Sequence, residues 1–60
     1  MSNVFHVFLD RPGFGEMPKG IHLYLGDAKN EANHLKSTHP KERVVVRDES
    51  SQIVYEPVNR

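Results

Sequence analysis

No cysteine occurs in the sixty residues, which rules out a disulfide staple and a thiolate metal site and points to a cytoplasmic setting. There is no net charge either. Eight basic and eight acidic residues cancel, so no global field draws the chain to nucleic acid or to an anionic membrane, and any such attraction must come from a local patch. Long hydrophobic runs are missing: none exceeds three residues, as in Val44-Val45-Val46, far short of a membrane span. The first residues lack the basic region and apolar segment of a secretory signal, so the expectation is a soluble protein with no membrane partner.

Apolar residues make up only 37% of the chain, yet regular strand patterns and a hairpin argue against disorder. Sixty residues allow a single small domain, 1–60, and a chain of this size hides only about 60% of the surface its unfolded form exposes. Stability will be thin. Association with a further chain is the most available source of additional burial.

The other elements are arranged around Ile21-His22-Leu23-Tyr24-Leu25-Gly26-Asp27 and the run after it to Leu35, where an apolar period of two gives way to a helical one. Ile21, Leu23 and Leu25 would line one face of a strand, and Ala28, Ala32 and Leu35 one stripe of a helix folding back onto it. Gly26 would end the strand and Asp27 would cap the helix. Asn30 and Asn33 are poor helix formers, so the sheet must hold this helix, and Pro40 stops it.

Before this stretch, Asn3 to Asp10 reads as a strand whose two faces are both apolar or aromatic, so it is either central or covered on its second face by something else. Arg11 to Gly20, with Pro12, Gly13, Gly15, Pro18 and Gly20, reads as a long connection displaying Phe14 and Met17. Those two side chains either tuck over an open end of the core or form a binding loop. After the helix, Glu42 to Arg47 and Gln52 to Val58 form a hairpin around Asp48, Glu49, Ser50 and Ser51. A register pairing Val46 with Ile53, Val44 with Tyr55, Val45 with Val54 and Arg43 with Glu56 matches both apolar and charged partners.

The expected fold is α+β, a four-stranded sheet with one helix packed on one face, in the order β-β-α-β-β and with the second and third strands running in the same direction. Phe5, Val7, Leu9, Ile21, Leu23, Leu25, Val44, Val46, Ile53 and Tyr55 would face the helix. One helix cannot cover both sides. The binding face would then present His6, Phe8, His22, Tyr24, Arg43, Val45, Arg47 and Val54, with Val4 and Glu56 beside them, and the loop residues Phe14 and Met17 would extend it.

Chemistry finds little support. His6 and His22 would supply only two nitrogen ligands, and His34 and His39, five apart, do not share a helical face, so neither a metal nor a cofactor is expected. Ser37, Thr38 and His39 lack a carboxylate to orient the imidazole, and the glycines between Gly13 and Gly20 do not have phosphate-loop spacing. The leading expectation is therefore a non-enzymatic protein-interaction module, of an accessory or inhibitory type such as bacteria and their phages encode. It would bind its own copy as a homodimer or another protein target. Single-stranded nucleic acid is the alternative, with Phe8, Tyr24, His6 and His22 as stacking groups and Arg43, Arg47, Arg11 and Lys19 near phosphates. Zero net charge, Glu56 opposite Arg43 and the lack of an aromatic RNA-binding signature stand against it. A third expectation is assembly gated by protonation of His6 and His22 within the face.

Overall fold

Alternation of Phe5, Val7 and Leu9 with His6, Phe8 and Asp10 gives a strand with two different sides, and it forms β1 (Phe5–Arg11) in the computed structural model, which describes residues 4–58. β2 (Gly15–His22), α1 (Leu25–Thr38), β3 (Arg43–Arg47) and β4 (Ile53–Tyr55) follow. The class is α+β in the expected order. The sheet runs β2-β1-β3-β4 with every neighbouring pair antiparallel, so β1 lies inside it, while β2 and β3 run the same way on either side of β1. Asn3, the expected start of β1, lies outside the described residues.

Val7 and Leu9 of β1, Val44 and Val46 of β3, and Ala28 and Ala32 of α1 form one buried cluster, and Phe5, Leu25, Leu35 and Tyr55 pack against it. Ala28 and Ala32 are one helical turn apart and small, which lets the backbones approach closely. The sheet side bearing these valines is the core side below, and the side bearing His6, Phe8 and Asp10 is the outer side. α1 ends where Pro40 requires: the His39 amide donates to the Leu35 carbonyl at 2.8 Å, and Thr38 Oγ1 donates to the His34 carbonyl at 3.2 Å.

The segment from Arg11 to Gly20 is a tight hairpin rather than a long connection. The Phe14 amide donates to the Arg11 carbonyl at 3.0 Å, Pro12 and Gly13 occupy the central positions, and Gly13 has φ 86°. This is a type II turn, where the fixed φ of proline suits the first central position and the second demands a positive φ. Gly15, with φ 79°, pairs with Arg11, so β2 starts immediately. Pro18 is tolerated within β2 because an outermost strand needs donors on one edge only.

β2 also carries an extra residue. Its register passes from Val7↔Gly20 to Phe8↔Pro18, leaving Lys19 unmatched as a bulge. Beyond the bulge His6 pairs with Ile21 and Phe5 with His22, which places His22 on the core side and Ile21 on the outer side, the reverse of the expected arrangement. Leu23 and Tyr24 form a bend instead of continuing the strand, and α1 takes Leu25, Gly26 and Asp27 into its first turn. Tyr24, not Asp27, is the capping position, without a side-chain cap bond; the Asp27 carboxylate instead meets the positive end of the helix from within the first turn. Two expected core residues are consequently exposed, Ile21 at 63% and Leu23 at 65%; Ile53 of β4, also expected inside, is 41% exposed.

The β3–β4 register differs as well, with Val46 opposite Tyr55 and Arg47 opposite Ile53. Asp48 is the cause. Its Oδ1 accepts from the amides of Ser50 (2.9 Å) and Gln52 (3.0 Å), its carbonyl accepts from the Ser51 amide (3.0 Å), and Ser51 adopts φ 67°. A turn closed around an aspartate sets the loop length, and that outweighs the match of side chains along the strands. Arg43 still reaches Glu56 through its side chain. β4 is Ile53–Tyr55, shorter than the expected Gln52–Val58.

His22 Nε2 hydrogen-bonds Glu31 Oε1 of α1 at 2.5 Å, and the Glu31 carboxylate lies over Gly20, where any Cβ would overlap it. Glu31→Ala should therefore cost about 0.5–1.5 kcal/mol in the native chain, the worth of a partly buried hydrogen bond, and close to nothing in a Gly20→Ala background, where the carboxylate is already displaced. Urea unfolding of the four variants measures this; equal costs in both backgrounds would refute the contact.

Candidate interaction surface

Strand pairing arranges the outer side in three rows: Ile21, His6 and Arg47; Pro18, Phe8 and Val45; Glu16, Asp10 and Arg43. The His6 and Phe8 rings are stacked with centroids 6.1 Å apart and planes 23° from parallel. Arg47 crosses from the first row to the third, its Nε and Nη2 donating to the two Glu16 carboxylate oxygens at 2.9 and 2.8 Å, and its Nη1 donates to the Ser51 carbonyl at 2.7 Å. Arg43 grips Glu56 in the same two-pronged way, at 2.7 and 2.9 Å. Val45, between these arginines on β3 and opposite Phe8, is only 1% exposed. The aliphatic stems of two ion-paired arginines thus shield part of the outer side.

Electrostatics follow from the pairing. The hydrogen bonds from Arg47 hold the Glu16 carboxyl below its usual value of 4.5, those from Arg43 do the same for Glu56, and both arginines are raised in return.

Of the residues expected to form the binding face, His6, Phe8, Arg43, Val45 and Arg47 share the outer side, but Val45 is buried and both guanidiniums are engaged. His22 is on the core side, bonded to Glu31 and removed from His6, so the two histidines make neither a ligand pair nor a shared proton switch. Tyr24, in the bend, is 71% exposed. Val54 lies on β4 beside Val4 and Phe5, lining a cavity under the β3–β4 loop. The two loop residues divide: Phe14, at the turn tip, is 81% exposed, whereas Met17 pairs with Leu9 on the core side and is half-buried.

Ile21 and Leu23 were expected inside and instead join Tyr24 in an exposed apolar row at the corner between β2 and α1, with Ile21 next to His6. Counting alternation from Glu16 with Lys19 as an ordinary strand residue puts Ile21 inward; leaving Lys19 out of the pairing as a bulge puts it outward. Among the described residues no group of three or more His, Cys, Asp or Glu could hold a metal, and no helix is long and apolar enough to cross a membrane. No family model matches the chain, and no curated protein or solved structure matches it.

Because Glu16 and Glu56 titrate lower in the folded chain than in the unfolded one, their pairs contribute fully above the usual carboxylate value of 4.5, and this contribution is lost as pH falls through the depressed folded values. Between about pH 7 and about pH 3 the wild type should lose more thermal stability than a Glu16→Gln, Glu56→Gln variant, by a modest margin because the pairs are partly solvated. Identical losses would show that these two ion pairs contribute nothing.

Proposed function

We propose that this chain is a non-enzymatic protein-interaction module. α1 covers one side of the sheet, and the partner is met by the outer side at its β2 edge, where that side turns into the β2–α1 corner. The observation that carries this reading is the row Ile21, Leu23 and Tyr24, each more than 60% exposed, running on from the His6–Phe8 stack. Adjacent aliphatic and aromatic groups held in water are what the desolvated centre of a protein contact uses, and three in succession exceed the scattered apolars of an ordinary surface. A short chain with zero net charge and little interior suits an accessory or inhibitory role within the cytoplasm.

Single-stranded nucleic acid is the weaker reading. Arg43 and Arg47 are both bound to carboxylates, so a phosphate would have to displace Glu56 or Glu16, and His22 and Tyr24 do not join His6 and Phe8 on a common stacking platform. Two cavities among the described residues measure about 300 and 220 Å³, and neither of these is lined by a histidine.

An Ile21→Ser, Tyr24→Ser variant changes only exposed side chains and should keep its fold to within about 0.5 kcal/mol per site. The immobilised wild type should retain a protein partner from its native cell extract through a wash of roughly 1 M salt, and the variant should lose it, because an apolar contact is nearly indifferent to screening. Neither should bind a fluorescent single-stranded oligonucleotide at roughly 50 mM salt; binding that falls steeply with salt would replace this reading with the nucleic-acid one.

A further inference from the structure

Phe14 is the most exposed of the large apolar side chains among the described residues, and it follows a turn in which Pro12 fixes one backbone angle, Gly13 permits the positive φ and the Phe14 amide closes onto the Arg11 carbonyl. We propose that it is one half of a contact between copies of this chain, the other half being the cavity at the far end of β1. That cavity, about 300 Å³, has Val4, Phe5 and Val54 as its apolar lining and Asp48, Glu49 and Ser50 as its polar rim. Its volume is at the bottom of the range of roughly 300–1,000 Å³ used for small ligands, suited to one aromatic ring rather than a cofactor.

Position excludes insertion within one copy. Phe14 follows the C-terminal end of β1, whereas Val4 and Phe5 mark its N-terminal end, and a seven-residue strand separates them by about 20 Å in a molecule 35 Å long. Charge favours a second copy as the occupant. Arg11 opens the turn that carries Phe14 and remains 40% exposed beyond its 3.3 Å contact with Glu42, while Glu49 stands exposed on the cavity rim. Seating the ring brings this guanidinium towards that carboxylate, giving the contact a preferred register. A turn already held in one conformation loses little freedom on docking. Because the joined surfaces differ, each copy retains a free tip or a free cavity, and copies add head to tail. This contact uses neither Ile21 nor Tyr24 and is independent of the corner surface.

Light scattering between about 10 μM and about 1 mM tests it, since this range brackets contacts of modest affinity. The mean mass of the wild type should rise with concentration beyond that of two copies. Phe14→Ser should weaken association at least tenfold, and Val54→Arg, which fills the cavity, should do likewise; Glu49→Arg, confined to an exposed loop residue, should weaken it several-fold and serves where Val54→Arg fails to fold. An equimolar mixture of Phe14→Ser with the cavity variant should give a species of two copies and no larger, one tip in one cavity. The Ile21→Ser, Tyr24→Ser variant should associate as the wild type does, and Phe14→Ser should still retain the partner captured by the corner. A wild type that stays monomeric at about 1 mM, a Phe14→Ser chain that associates normally, or a mixture that stays monomeric would overturn the proposal.

Discussion

A turn of two central residues and one unpaired lysine decide which side chains this protein shows to water. Pro12 and Gly13 start β2 at Gly15 rather than several residues later, and the bulge at Lys19 then reverses the facing of everything after it. The consequence is concrete: the imidazole of His22 meets Glu31 on the core side, while the aliphatic side chain of Ile21 stands in solvent beside His6. Gly20 completes the arrangement by leaving room for the Glu31 carboxylate over the strand. The bulge and an internal proline also make β2 a poor template for a further strand, so this edge of the sheet is guarded while the outer side is not.

Among the described residues there are four strands and one helix, and the side of the sheet away from the buried cluster is covered in part by other means. Here arginine stems do part of that work. Arg47 spans from β3 to Glu16 on β2, Arg43 is tied to Glu56, and Val45 between them is sealed from water. Ion pairs this exposed add little stability by themselves, but they place methylene groups over apolar surface and neutralise charge that would otherwise attract phosphates. Among the described residues, large apolar side chains stand exposed at the β2–α1 corner, at the tip of the first hairpin, and on and after β4 at Ile53, Val54 and Val58. The centre of the sheet is the less adhesive region.

Strong periodicity was readable in advance, and local geometry was not. The stripe Ala28, Ala32 and Leu35 followed from helical spacing and the helix end from Pro40, whereas the two apolar sides of β1 left open whether it is central or covered on its second face, and only the pairing with both β2 and β3 decides it. Pro-Gly is a turn signal with a defined mechanism, and it was masked by three further breakers before Ile21 that suggested a loop. The bulge has no such signal: Lys19 is an ordinary strand-edge residue, and its effect on Ile21, Leu23 and His22 appears only once β1 and β2 are paired. In the second hairpin the matching of valines and charges was a sound guide to partnership, as Arg43 and Glu56 show, yet the loop that Asp48 closes through its own carboxylate overrode it in register. At the candidate surface, the shared side of His6 and Phe8 was legible because strand alternation is local, whereas Phe14 was left open between a core lid and an exposed loop residue, and the facing of Ile21 depended on the bulge.

Facing of the strand beyond Lys19 is thus the claim on which the rest stands, and proton nuclear Overhauser contacts of the Ile21 methyl groups test it most directly. The structure predicts contacts from Ile21 to the His6 ring across the strand pair and none to Ala28 or Ala32. Methyl contacts from Ile21 to those alanines, with the His22 ring turned towards His6, would contradict it and restore the apolar row to the interior.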